Sequence, residues 1–97
     1  MIPAAAPEQR TVTVKGQGRY VGWEVTTRVD FPAIVLEGLQ SGDVPMTLRA
    51  MDGIVTEHNL PDVNGELAAS MLDVSPWQGA YQMVGLVIDA MVKLPNP

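Results

Sequence analysis

The sequence contains no cysteine, which excludes disulfide frameworks, thiolate metal sites and cysteine nucleophiles together and fits a reducing cytosol. Histidine is nearly as scarce, with His58 alone. Zinc takes roughly three or four nitrogen or sulfur ligands, so no such site can be assembled, and no cofactor is implied. Cations are also few: six Lys and Arg stand against eleven Asp and Glu, for a net charge of −5. Nothing here supplies the positive stripe that a phosphate backbone requires, which argues against nucleic-acid binding. Long apolar runs are missing. The longest stretch, Met83 to Met91, is broken by Gly85 and Asp89 and falls short of the roughly 20 residues that span a bilayer. The opening Met1-Ile2-Pro3-Ala4-Ala5-Ala6-Pro7 lacks the basic segment and apolar core of a signal peptide.

What is present is an ordinary globular composition, 46% apolar over 97 residues, enough for one modest core and too little for two. Residues 1–9 hold two prolines and three alanines without a helical or extended period, and read as a loose N-terminal arm. Residues 10–97 then form a single small α+β domain, a β-hairpin followed by about three α-helices.

Thr11 to Lys15 alternates β-branched residues, Gly16-Gln17-Gly18 supplies a turn, and Arg19 to Val29 resumes an extended pattern, which together predict the hairpin. Its second strand places Val21, Trp23, Val25, Thr27 and Val29 on a core face and Tyr20, Glu24, Thr26, Arg28 and Asp30 on a wet one. A lone hairpin is marginal in water, so helices or another copy of the chain must cover it. A homo-oligomer formed through the open hairpin edge is the corresponding expectation.

Asp30-Phe31-Pro32 opens a first helix carrying Ile34, Val35, Leu36 and Leu39, and Ser41-Gly42 closes it. Asp43 caps a second, in which Val44, Leu48, Met51 and Val55 share a side, with Asn59 and Pro61 marking its end. Gly53 inside that run costs about 1 kcal/mol against alanine, so either another backbone approaches there or the helix is weakened. Asn59 to Gly65 is dense in turn formers, and residues 66–73 carry no single period. Ser75-Pro76-Trp77-Gln78 has the form of a capping box with Ser75 as N-cap. Trp77, Ala80, Tyr81, Val84, Val87, Ile88 and Met91 then recur at helical spacing until Leu94-Pro95-Asn96-Pro97.

Groups for catalysis are sparse. Glu57 and His58 are the only adjacent acid and base, and a histidine at the end of a helix serves the terminal carbonyls and the dipole. Asp62-Val63-Asn64-Gly65-Glu66 has only a fragment of a calcium loop. Gly16-Gln17-Gly18 leads into a strand rather than a helix N-terminus, which makes it a turn and not a phosphate cradle. The six methionines suit core gaps first and adaptable contacts second.

Four segments together, Val21-Gly22-Trp23-Glu24-Val25, Val29-Asp30-Phe31-Pro32-Ala33, Leu39-Gln40-Ser41-Gly42-Asp43 and Glu57 to Glu66, resemble the small tail assembly chaperones of long-tailed bacteriophages. That family has a short N-terminal strand pair, a helical body and a central Asn-Leu-x-Asp-x-x-Gly turn, which Asn59, Leu60, Asp62 and Gly65 match. The resemblance implies a non-enzymatic protein of the host cytoplasm that escorts the tape measure protein while tail tube protein polymerises around it. Trp23, Phe31, Trp77 and Tyr81 are the candidate contact residues, because large aromatics dominate interface energetics when not wholly buried; each would serve equally as core. The alternative function is a permanent virion subunit, a tail or head-to-tail joining piece, whose hairpin extends a neighbour's sheet.

Overall fold

The structure, a computed structural model, describes residues 10–93; the arm read at residues 1–9 and the helix stop at 94–97 lie outside the described residues. The elements run β1 (Thr11–Lys15), β2 (Glu24–Arg28), α1 (Ala33–Leu39), α2 (Val44–Asp52), β3 (Val55–His58) and α3 (Trp77–Val92), with single 3₁₀ turns at Gly18–Tyr20 and Met71–Asp73. The class is α+β. The sheet is antiparallel in the order β1-β2-β3, so β2 is central and the helices are split around the strands.

The hairpin forms, with Val14 opposite Val25 and Thr11 opposite Arg28, but its connection is longer than the glycine triplet. The chain leaves β1 after Lys15, makes the 3₁₀ turn, passes Gly22 at a φ of 99° and enters β2 only at Glu24. Gly16 N–H donates to the Trp23 carbonyl at 2.8 Å, closing that loop. Val21, expected on the core face, therefore sits in the loop and is exposed. Val25 and Thr27 hold the core face as the alternation requires, both completely buried.

The third strand corrects the reading of residues 53–58. α2 stops at Asp52, Gly53 is its C-cap, and Ile54 turns into the core. The chain then pairs with β2, Val25 opposite His58 and Thr26 opposite Glu57, with a bulge between Thr26 and Thr27. The spacing of Val44, Leu48, Met51 and Val55 satisfies a helix up to its last member. Pairing Val55–His58 along β2 instead satisfies backbone groups that a two-stranded hairpin leaves open. The hairpin edge expected to recruit a second copy is thus covered, on the β2 side, by the same chain.

Helix starts follow local chemistry. Asp43 caps α2 through Oδ1, which accepts from Met46 N–H at 2.9 Å. Pro32 and Pro76 are themselves the N-caps of α1 and α3, with ψ near 150°. Proline has no side-chain acceptor, so the expected Ser75 capping box does not form; the Ser75 N–H donates instead to the Pro61 carbonyl at 3.0 Å. Asp62 organises the turn read at Asn59–Gly65: its Oδ1 accepts from Asn64 and Glu66 N–H, and Gly65 takes a φ of 80°.

The core lies between one face of the sheet and the helices. Val14 and Val25 meet Leu48 and Met51 of α2 and Ala80, Met83, Val84 and Val87 of α3, with Leu60, Ala68 and Met71 filling in from the connection between β3 and α3. Met51, Leu60, Met71 and Met83 are fully buried, and each such side chain contributes about 1.5–3 kcal/mol relative to exposure. Three of the four are methionines, consistent with gap filling where short elements meet at irregular angles.

Candidate protein-binding surface

α3 has two apolar faces, and the sequence pattern merges them. At about 100° per residue, Ala80, Met83, Val84 and Val87 fall on the buried side. Trp77, Tyr81, Ile88 and Val92 fall within about 60° of one another on an adjoining flank. That flank is open. Trp77 is 47% exposed, Tyr81 37% and Val92 79%, while Ile88 is half-buried. Gly85, in the same sector, has nothing within 4 Å of where a Cβ would stand.

The aromatic pair at the start of this stripe is preorganised. Trp77 and Tyr81, one turn apart, pack edge to face with centroids 6.2 Å apart and planes at 74°. Such a geometry suits the ring quadrupoles and holds both side chains without burying either.

At its other end the stripe runs into a groove of about 340 Å³ lined by Val29, Phe31, Leu36, Gln40, Ile88, Met91 and Val92. Phe31 stands here because the segment between β2 and α1 must cross from the sheet to the helical layer over the end of α3. Its ring is half-buried and packs on the core from outside. Gln40 is the sole polar side chain in the lining, which gives the groove the composition of an interface pocket: apolar walls with one orienting group. Ile34 and Met46 extend exposed apolar surface around α1 and α2.

Of the four aromatics expected at an interface, three lie on this surface and one does not. Trp23 is half-buried, packed on Tyr20 with ring centroids 4.8 Å apart and planes tilted at 44°, and its six-membered ring lies against Gly79 of α3. It locks the hairpin loop to the helix. Leu36 and Val92 belong to the surface and escape a search that favours aromatics. The signal for Val92 is a second apolar periodicity on α3, one position out of phase with the first, and that for Leu36 is its place in the apolar series of α1.

The polar side of the sheet is chemically different. Thr13, Glu24, Thr26, Glu57, His58 and Asn59 line a shallow depression, with Thr13 and Thr26 hydroxyls 2.8 Å apart. His58 belongs to β3 and not to a helix end, so its expected role with terminal carbonyls is replaced: Nδ1 accepts from the Leu60 N–H at 3.0 Å. Glu57 and His58 are successive residues of β3, and both contribute to the lining of this depression. Among the described residues no three His, Asp or Glu side chains are grouped so as to hold a metal ion, and no helix is long and apolar enough to cross a membrane.

Comparison of the chain with protein-family profiles, with curated proteins and with solved structures finds no match.

Proposed function

We propose that this chain is a non-catalytic tail assembly chaperone of a long-tailed bacteriophage, which binds the tape measure protein in the host cytoplasm during tail morphogenesis. The observation that carries the reading is the open stripe of Trp77, Tyr81, Ile88 and Val92 ending in the Phe31 groove. From Trp77 to Val92 it extends about 22 Å at 1.5 Å per residue, the length of about four turns of a client helix. A long amphipathic helix docks by laying its apolar face in such a groove, with anchors at helical spacing. The segments that resemble the phage chaperones, with Asn59, Leu60, Asp62 and Gly65 forming the central turn, supply the identity of the client. The net charge of −5 favours a basic client segment through long-range steering.

The test is co-expression of this chain with a tape measure protein of the phage that encodes it, affinity capture, and mass spectrometry of purified particles. Capture together with absence from particles supports the chaperone. Presence in particles favours the permanent subunit, and failure to capture the tape measure protein removes the proposed client.

A further inference from the structure

We propose that Asn64 is a self-modification site held inert by its own turn. While the turn centred on Asp62 is closed, the Asn64-Gly65 pair does not react. When the turn opens, the Gly65 nitrogen attacks the Asn64 side chain and converts it to aspartate or isoaspartate. This chemistry belongs to the free chain and does not rest on the functional reading above.

The reaction needs only the chain and water. A bond forms from the Gly65 backbone nitrogen to Asn64 Cγ as the Cγ–Nδ2 bond breaks. The proton lost from the Gly65 nitrogen leaves with Nδ2 as ammonia, and a five-membered succinimide remains. Water then adds to one of the two ring carbonyls and opens the ring. Cleavage of the new bond to Cγ gives aspartate, and cleavage of the original peptide bond gives isoaspartate. Glycine is the favourable successor, since no Cβ crowds its nitrogen and its backbone rotates freely. Of the three asparagines only Asn64 precedes glycine; Asn59 is followed by leucine and Asn96 by proline. Asn64 and Gly65 are both exposed, and nothing lies within 4 Å of where a Gly65 Cβ would stand, so no packing from outside the turn shields the pair.

Protection comes from the turn itself. The Gly65 N–H donates to the Asp62 carbonyl at 3.0 Å, and neither Val63 nor Asn64 has a positive φ. Residues 62–65 are therefore a type I turn, in which ψ of Asn64 stays near 0°, and Gly65 at a φ of 80° is the bulge residue that follows it. In this geometry the attacking nitrogen is turned across the loop towards Asp62 and away from Asn64 Cγ. Rotating it towards Cγ breaks its bond to Asp62. The Asp62 side chain fastens the same loop again, with Oδ1 accepting from Asn64 N–H at 2.8 Å and Glu66 N–H at 3.0 Å, and the Asp62 N–H donates to the Glu66 carbonyl at 2.6 Å. Asp62 is thus a positioning residue that keeps the nucleophile from its target.

The product also keeps the turn open. Isoaspartate adds one carbon to the main chain between the Cα of residue 64 and the Gly65 nitrogen, so the bonds from Asp62 to Gly65 and Glu66 no longer re-form in register. The next bond along, from the Ala68 N–H to the Leu60 carbonyl at 2.9 Å, joins two buried residues. A transient opening of the turn is in this way recorded covalently next to the core.

The experiment is peptide mapping of the full chain by mass spectrometry, with isoaspartate detection, during incubation in mildly alkaline buffer. Because only the opened fraction reacts, the folded parent should convert Asn64 roughly tenfold or more slowly than the same chain in urea. Asp62→Ala, folded by circular dichroism, should convert at least several-fold faster than the parent. Asp62→Asn, whose amide oxygen still accepts, should stay near the parent rate. Thr27→Ser, altered in the core with the turn intact, should also keep the parent rate. Equal rates for folded and unfolded parent overturn the proposal, as does a folded Asp62→Ala variant that matches the parent. Acceleration by Thr27→Ser equal to that by Asp62→Ala overturns it too, by placing the protection in global stability. Should Asp62→Ala fail to fold, the folded and unfolded parent rates together with Thr27→Ser decide the matter.

Discussion

The indole of Trp23 lies on the bare backbone of Gly79, so closely that a Cβ at position 79 would stand 2.6 Å from Trp23 Cη2 and 2.9 Å from Tyr20 Cδ1. Glycine in a helix interior costs about 1 kcal/mol against alanine, and here that cost is offset by docking the hairpin loop on α3. Gly79→Ala gains at most about 1 kcal/mol of helix propensity but crowds two rings at once, at about 3 kcal/mol, the upper end of overpacking costs, for an expected net loss of about 2 kcal/mol. Gly85→Ala, on the open flank of the same helix, should raise stability by up to about 1 kcal/mol. Urea unfolding of the two variants checks the opposite signs. If Gly79→Ala is neutral, Trp23 does not pack as described.

Thr27 supplies a second test. Its side chain is completely buried in β2 and its hydroxyl has no hydrogen-bond partner. An unpaired buried hydroxyl costs about 1–3 kcal/mol in lost hydration, so Thr27→Val, which keeps the shape, should stabilise the domain by about 1 kcal/mol. Thr27→Ser keeps the hydroxyl, loses a methyl and should destabilise by about 1 kcal/mol. Midpoints of thermal unfolding for the pair decide it.

Asn59 extends the sheet with its side chain. Its Oδ1 accepts from the Glu24 N–H at 2.7 Å and its Nδ2 donates to the Gly22 carbonyl at 2.9 Å, tying the end of β3 to the long hairpin loop. Two neutral bonds at an exposed position are worth about 1–2 kcal/mol together. Asn59→Ala should cost that much, and faster hydrogen exchange at the Glu24 amide should accompany it. Unchanged protection of that amide would show that the loop is held by Trp23 alone.

These contacts show which parts of the fold are legible in the sequence. Val25 and Thr27 are placed correctly by alternation, and Asp43 as the cap of α2 by its place just ahead of an apolar helical series, because both signals are local. Val55–His58 is not, since a four-residue strand has no period of its own and its preceding valine completes a helical series. What decides its state is the open edge of β2, a partner about 30 residues away. The site divides in the same way. Trp77 and Tyr81 stand out by type and spacing. Phe31 comes within reach of Met91 only once the crossing from β2 to α1 is known. Trp23 looks like an interface residue until Gly79 is found beneath it.

The exposed pair Trp77 and Tyr81 allows function and stability to be separated. Both rings are partly exposed and pack on one another, so Tyr81→Ala should lower stability by about 1 kcal/mol, the scale of one aromatic contact. At an interface, truncation of a central aromatic costs about 2 kcal/mol or more, which is roughly a thirty-fold loss of affinity. Tape measure capture should therefore fall by at least tenfold in Tyr81→Ala and in Trp77→Ala while their urea midpoints stay near that of the parent. Trp23→Ala should give the reverse pattern per unit of stability: a loss of about 3 kcal/mol from the emptied site and weaker capture only in proportion to the unfolded fraction. Normal capture by folded Trp77→Ala and Tyr81→Ala variants would move the client off α3, with the exposed Ile34 and Met46 side of α1 and α2 as the next surface to substitute.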